Sequence, residues 1–168
     1  ASMKPSKLYL SAGDEISAED AIKALVTRSA NDVAAAIAEH IGGSEARFAD
    51  MMTAKARSLG MSRTVYANAS GLPDKRQVTT ARDLVLLGRA IQERFPKYYG
   101  YFATSNFRYA GQSIRNHNNL LGRIEGVDGI KTGFTNQAGY GFLGSAERNG
   151  RRLVMRSEER RVGKECLR

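Results

Sequence analysis

Cysteine, proline and tryptophan are scarce in this sequence of 168 residues, which has one cysteine, three prolines and no tryptophan. The lone cysteine, Cys166, cannot form an internal disulfide, and no other residue lies at metal-ligand spacing from it. No apolar run approaches the roughly 20 residues that span a bilayer, and no charged-then-apolar export signal is recognisable. The sequence therefore argues against a disulfide scaffold, indicates no membrane association, and implies neither a metal site nor a cofactor.

Acidic residues are outnumbered, since 26 Lys and Arg face 17 Asp and Glu and give a net charge of +9. A basic protein of this kind can attract nucleic acid or acidic polymers. The basic residues are, however, scattered along the chain, and no aromatic residues are interleaved with them in the way that single-stranded nucleic-acid sites require. We therefore expect a solvated basic surface and no nucleic-acid partner.

The last thirteen residues, 156–168, differ abruptly from the rest of the chain. They hold five basic and three acidic residues without an apolar period, and the string RSEERRVGKEC resembles a translated sequencing adapter. We expect 156–168 to be a non-native or disordered basic tail, and 1–155 to be the domain. We therefore infer no function from residues 156–168.

The remaining pattern predicts helices first and antiparallel strands last, which is typical of an α+β fold. Helices are expected over about 17–28, 31–41, 44–60 and 80–95, the last capped by Thr79 or Thr80. The second helix is apolar nearly all round, which predicts burial. A hairpin is expected from Phe102–Tyr109 and Ser113–Arg115, and further strands over Val127–Thr132, Tyr140–Glu147 and Arg152–Met155. The pair Asn149-Gly150 is the strongest hairpin-turn signal in the chain.

Two short strings could carry chemistry. Ser29-Ala30-Asn31 lies in the break between the first two predicted helices, and Lys131-Thr132-Gly133 ends a predicted strand. Taken alone, the first string is equally well explained as a helix N-cap, and the second as a strand end entering a turn. Together they match two of the three motifs of penicillin-interacting serine enzymes, S-x-x-K, S-x-N and K-T-G.

The sequence around these two motifs resembles the same group of enzymes. The segments SANDVAAAIAEHIGGSEARFADMMTAKARSLGM, NASGLPD, TTARDLVLLGRAI and VDGIKTGFT closely resemble the D-alanyl-D-alanine carboxypeptidases, the low-molecular-weight penicillin-binding proteins. The resemblance covers roughly Lys7 to Met155 in consistent order. It implies a β-lactamase/transpeptidase-like fold, with helices packed on an antiparallel sheet, incomplete at its N-terminus.

The resemblance also implies a role for each motif residue in acyl transfer from a peptidoglycan stem peptide ending in D-Ala-D-Ala. The Ser29 hydroxyl would relay a proton towards the leaving D-alanine, and the Asn31 amide would hold the peptide backbone. The Lys131 ammonium and the Thr132 hydroxyl would bind the terminal carboxylate. Gly133, which has no side chain, would let the ligand lie along the strand edge. β-Lactams would act as inhibitors at the same site.

The third motif is missing, because no serine in the chain has a lysine three positions later. We therefore expect the nucleophile, its lysine and the export signal to lie outside this chain, and the chain alone to be inactive. In the complete protein, the resemblance implies a periplasmic or extracytoplasmic location. The missing segment is also expected to leave Val33 and Ile37 partly exposed.

Two other functions stay open. A class A β-lactamase shares the motifs but needs a Glu-x-x-x-Asn pattern between them, and no glutamate there has an asparagine four positions later. The second alternative is a catalytically inactive module that binds peptidoglycan. Of the two histidines, His117 lies in a loop that lines the cleft in the resembled family and is a candidate substrate contact, whereas His40 is expected to pack or cap a helix.

Overall fold

The computed structural model describes residues 6–158. Its helices are α1 (Ala18–Thr27), α2 (Asn31–Gly42), α3 (Glu45–Ser58), α4 (Ala81–Arg94) and α5 (Pro96–Tyr99), followed by a 3-10 helix over Gly100–Ala103. Its strands are β1 (Asn106–Tyr109), β2 (Gln112–Arg115), β3 (Val127–Thr135), β4 (Gly139–Arg148) and β5 (Arg151–Glu158). Among the described residues, no helix is both long and apolar enough to cross a membrane.

Side-chain caps explain where three of the helices begin. The hydroxyl oxygens of Ser17, Ser44 and Thr80 each accept a hydrogen bond from the backbone N–H three residues later, at 3.0, 3.2 and 3.1 Å. Each bond satisfies one of the free N–H groups of a first helical turn. The predicted starts of α1, α3 and α4 are therefore confirmed, with Thr80 rather than Thr79 as the last cap.

Helix α2 is buried on one face only, so the prediction of burial all round was wrong. Val33 and Ala38 are fully buried, whereas Ala36 is exposed and Ile41 is 58% exposed. His40, in the last turn of the helix, is also exposed and does not pack in the core. Alanine explains the difference, because its small side chain favours a helix on either face without needing burial.

The N-terminal segment covers the apolar face of α2. The Asp32 carboxylate accepts hydrogen bonds from the backbone N–H groups of Leu8 and Leu10, at 3.1 and 3.2 Å, and holds the segment in place. Leu8 and Leu10 then pack against a core cluster that contains Val33. Val33 is 0% exposed, so the expected exposure of this side chain was wrong, and partly buried Ile37 packs against the same cluster.

The strands form two antiparallel sheets, a β1–β2 hairpin and a three-stranded sheet in the order β3-β4-β5. Asn149 and Gly150 join β4 to β5 with positive φ angles of 50° and 70°, as the predicted two-residue turn requires. The hairpin begins at Asn106 rather than Phe102, because Gly100–Ala103 form the 3-10 helix. Strand β5 continues to Glu158, so the predicted boundary after Met155 falls inside a strand, and residues 159–168 lie outside the described residues.

Helix α4 packs on the three-stranded sheet around a second core cluster of Tyr99, Ile130 and Leu143. Gly88 permits this close approach, because a Cβ atom there would lie 3.0 Å from side-chain atoms of both Ile130 and Val154. The predicted α+β architecture is thus confirmed, and Ile130, immediately before the Lys-Thr-Gly string, is anchored in the core.

Candidate active site

Ser29 occupies a strained position between α1 and α2. Its φ angle is 57°, in the left-handed region that non-glycine residues rarely adopt. The N-cap of α2 is Ala30, which makes no side-chain capping bond. Ser29 is therefore not the N-cap of α2, and the interpretation of the Ser-x-Asn string as a simple helix cap is wrong.

Asn31 begins α2 and lies inside the protein, only 7% exposed. Its backbone N–H donates to the carbonyl oxygen of Ser6 at 2.9 Å, which ties the start of α2 to the N-terminal segment. Ser29 is only partly buried by comparison. The two polar side chains of this motif therefore sit at different depths on one short connection.

The Lys-Thr-Gly string lies in the middle of β3. Lys131, Thr132 and Gly133 pair in register with Leu143, Phe142 and Gly141 of β4. Within residues 6–158, β4 is the only strand paired with β3, so no strand pairs with its other edge. Gly133 is exposed, and a Cβ atom there would have nothing within 4 Å. An extended peptide could therefore approach β3 along this edge.

Lys131 is a largely buried cation. Burial lowers the pKa of its ammonium group from 10.5 to about 8, because the charged form loses hydration. Its Nζ donates to the carbonyl oxygen of Thr132 at 2.7 Å. Among the described residues no carboxylate forms an ion pair with it. Lys131 thus presents a positive charge that an incoming anion could pair with.

A loop between β2 and β3 links the two motif segments. The backbone N–H of His117 donates to the carbonyl oxygen of Thr27, at the end of α1, at 3.3 Å. The side-chain amide of the neighbouring Asn118 donates to the carbonyl oxygen of Gly129, in β3, at 3.4 Å. Consecutive residues of one loop therefore contact the chain two residues before Ser29 and two residues before Lys131.

Two positive charges act on the His117 ring. Partial burial lowers the pKa of His117, and the nearby charges of Lys131 and Arg28 lower it further because they disfavour a second cation. Arg28 directly precedes Ser29. The charges of Arg28 and Lys131 thus both disfavour protonation of His117. Arg28 was not predicted as a site residue, since nothing in its local sequence distinguishes it from other surface arginines.

A partly buried polar network connects the start of β3 to α5, β4 and β5. The Tyr99 hydroxyl donates to Ser145 Oγ at 2.6 Å, and Ser145 Oγ donates to Asp128 Oδ1 at 2.5 Å. Arg152 pairs with the other Asp128 oxygen and lies over the Tyr99 ring. Ser145 is registered opposite Gly129, two residues before Lys131. Sequence reasoning missed this network because its members lie on four separate elements, α5, β3, β4 and β5.

Comparison with known proteins gives a consistent result. The peptidase S11 family, described as D-alanyl-D-alanine carboxypeptidase, matches residues 1–156. The chain is 35% identical over 150 residues to D-alanyl-D-alanine carboxypeptidase DacC of Escherichia coli, covering 89% of this chain and 38% of that protein. It is 31% identical over 158 residues to DacF of Bacillus subtilis, covering 92% and 41%. The chain thus spans about two fifths of the length of these relatives.

Solved structures agree with the sequence relatives. The fold superimposes on D-alanyl-D-alanine carboxypeptidase DacD from Francisella tularensis with a TM-score of 0.87 and 29% identity, covering 93% of this chain and 50% of that one. It superimposes on the ampicillin-bound form of penicillin-binding protein D2 from Listeria monocytogenes with a TM-score of 0.84 and 35% identity, covering 94% and 66%. The predicted penicillin-binding-protein fold is therefore confirmed, and the chain belongs to the D-alanyl-D-alanine carboxypeptidase family.

Proposed function

We propose that this chain supplies the substrate-binding half of the active site of a serine-type D-Ala-D-Ala carboxypeptidase acting on peptidoglycan stem peptides. The observation that carries this proposal is the loop of His117 and Asn118, which hydrogen-bonds to Thr27 and Gly129, each two residues before one of the motif strings, although about a hundred residues separate the strings. The family resemblance implies that both strings bind the same substrate, and a single loop contacts the chain close to each of them.

On the β3 side, the Lys131 ammonium and the Thr132 hydroxyl would bind the terminal carboxylate of the peptide. The Lys131 ammonium is partly buried and forms no ion pair with a carboxylate of residues 6–158, so it has lost part of its hydration before an anion binds. The β3 edge that no strand of the described residues pairs with, and the bare backbone at Gly133, would let the last residues of the peptide lie alongside the strand.

On the other side, the Asn31 amide would hold the peptide backbone, and the Ser29 hydroxyl would pass a proton to the leaving D-alanine amine. The left-handed backbone at Ser29 supports this role, because strain of this kind is retained where a side chain must be presented in one direction. His117, whose loop bonds to Thr27 and Gly129, would contact the bound peptide.

The nucleophile and its base would come from an S-x-x-K segment outside this chain, since no serine here has the required lysine. The acyl-enzyme would form on that serine, with D-alanine as the leaving group and water as the second acceptor. β-Lactams would acylate the same serine, which fits the ampicillin-bound state of the Listeria relative. A peptidoglycan substrate implies an extracytoplasmic site of action.

The decisive experiment is a chimera in which residues 6–158 replace the matching segment of the E. coli relative, which supplies the missing segment. We expect the chimera to release D-alanine from a stem pentapeptide and to be labelled covalently by fluorescent penicillin. The chain alone should do neither. Lys131→Ala in the chimera should lower kcat/KM roughly ten- to hundredfold, the effect of losing a hydrogen bond to a charged group.

Arg47→Ala, which removes an exposed cation from α3, is the matched control and should leave the rate unchanged. Penicillin labelling without any D-alanine release, together with turnover of a β-lactam, would favour the β-lactamase alternative. A folded chimera with neither activity would favour the inactive binding module. Full activity of the Lys131→Ala chimera would refute the role assigned to this lysine.

A further inference from the structure

Phe134 and Tyr140 form an exposed aromatic pair at the end of the β3–β4 hairpin. The two residues are registered opposite each other in the sheet, and their ring centroids lie 4.6 Å apart. Phe134 is 51% exposed and Tyr140 is 68% exposed. In the turn that joins the two strands, the backbone N–H of Ala138 donates to Thr135 Oγ1 at 2.9 Å. Two large rings are thus held side by side at the surface of a closed hairpin.

Stabilisation of the hairpin explains only part of this arrangement. A cross-strand aromatic pair stabilises a sheet modestly, whereas rings that stay half exposed leave much of their apolar surface in water. An apolar side chain that is exposed singly needs no explanation, but adjacent exposed rings form a patch that a ligand can cover. The aromatic pair is therefore available to an apolar group from outside the hairpin.

The strand order places this pair beside the edge that the peptide would use. Phe134 directly follows the Lys-Thr-Gly string on β3, and no strand of residues 6–158 pairs with the far edge of β3. A peptide added along this edge as an antiparallel strand would have its Cβ atoms about 5 Å from those of the facing β3 residues. Facing residues also project to the same side of a sheet. A peptide side chain opposite Phe134 would therefore lie against its ring.

The function proposed above decides which residue of the peptide this is. The terminal D-alanine is assigned to Lys131 and Thr132, and the preceding residues lie alongside Gly133 and beyond. Phe134 is two residues after Thr132, which is about 7 Å along a strand and on the same side of it. Two residues before the terminal D-alanine is the residue that precedes D-Ala-D-Ala. Its side chain would therefore meet the aromatic pair.

We propose that Phe134 and Tyr140 determine specificity by binding an aliphatic side chain on the residue immediately before D-Ala-D-Ala. The rings present apolar area and carry no charge, so the part of the side chain that they bind is its hydrocarbon part. The enzyme would therefore prefer stem peptides with a long aliphatic side chain at this position over those with a small one. This inference rests on the function proposed above.

The test measures peptide binding by the full chain with 1H–15N NMR titration. The probes are N-acetyl-norleucyl-D-Ala-D-Ala and N-acetyl-alanyl-D-Ala-D-Ala, which carry the same charge and differ only in aliphatic length. We expect the norleucine peptide to bind about tenfold more tightly, the effect of burying roughly two methylene groups. Phe134→Ala and Tyr140→Ala should each reduce this preference. Tyr98→Ala, which removes a similarly exposed ring from α5, is the matched control and should keep all of it.

The outcomes separate the two proposals. If both peptides shift the amide signals of Thr132 and Gly133 with equal affinity, the proposed function stands and the role of the aromatic pair is refuted. A preference that survives in the Phe134→Ala/Tyr140→Ala double variant also refutes it, because a purely structural role would weaken both peptides equally. If neither peptide shifts these signals, the proposed function itself fails.

A second copy of the chain is the other group that could cover the rings. In that case the amide signals of Phe134 and Tyr140 would move with protein concentration and not with peptide, which would refute the proposed role. The dispersion of each variant's spectrum shows directly that it is folded.

Discussion

Replacing Lys131 with methionine should stabilise the fold while it destroys the carboxylate site. Burial lowers the pKa of Lys131 from 10.5 to about 8. At about 1.4 kcal/mol per pH unit, this shift corresponds to a cost of about 3 kcal/mol for holding the charged amine in the folded protein. Methionine has a similar length and no charge. It loses the hydrogen bond to the Thr132 carbonyl, worth about 1 kcal/mol.

The net expectation is that Lys131→Met is about 1–2 kcal/mol more stable at pH 7. The pH dependence has a definite sign. Below the folded-state value of about 8 the cost of the charged amine is complete, and it disappears as the pH rises towards the unfolded value of 10.5. The advantage of the variant should therefore shrink by about 2 kcal/mol between pH 7 and pH 10.

Urea denaturation followed by far-ultraviolet circular dichroism measures the free energy of unfolding of both proteins at both pH values. The circular dichroism signal is preferred because tyrosine fluorescence changes as tyrosine ionises near pH 10. Lys55→Met is the matched control, because Lys55 is exposed on α3 and should change stability by less than about 0.5 kcal/mol. The variant should also lose affinity for peptides ending in D-Ala-D-Ala. The reasoning is refuted if Lys131→Met is less stable than the unsubstituted protein at pH 7. It is also refuted if the stability difference between the two proteins is the same at pH 7 and pH 10.

Three further outcomes are expected. Gly126→Ala should destabilise the fold by more than about 2 kcal/mol in urea denaturation, because its Cβ would lie 2.2 Å from a β4 carbonyl oxygen at a φ of +79°. Gly122 has a similar φ, but a Cβ atom there would have no neighbour within 4 Å, so Gly122→Ala should destabilise the fold by only about 1 kcal/mol. Equal destabilisation by the two substitutions would contradict the steric argument. Ser145→Ala should cost about 1–3 kcal/mol by the same assay, because it removes the hydroxyl that pairs with the buried Tyr99 hydroxyl, and a neutral result would show that water replaces it. Lys131→Gln should raise the pKa of His117 in an NMR titration, and an unchanged value would place the two groups apart.

Local rules explain what the sequence alone could predict. The caps at Ser17, Ser44 and Thr80 bond to N–H groups three residues away, so neighbouring residues are sufficient to identify them. The Asn149-Gly150 turn depends equally on adjacent residues. The two motif strings identified the family for a different reason, since residue types in fixed order carry that signal without any knowledge of the fold.

Other predictions failed where burial depends on the whole structure. The apolar composition of α2 suggested burial on all sides, yet its alanines lie on an exposed face as well as a buried one. Val33 was expected to be partly exposed, but Leu8 and Leu10 cover it because Asp32 holds their backbone. Which segment covers an apolar face is decided by chain packing, and no local pattern encodes it.

The tertiary structure alone decided how the site is assembled. The sequence determined that the chain carries a Ser-x-Asn and a Lys-Thr-Gly string, and that helices precede an antiparallel sheet. Only packing brings His117 and Asn118 against Thr27 and Gly129, each two residues before a motif string, and buries Lys131 enough to lower its pKa. The physical reason is range: hydrogen-bonding and turn preferences act over a few residues, whereas electrostatic and desolvation effects depend on groups that meet only in the folded chain.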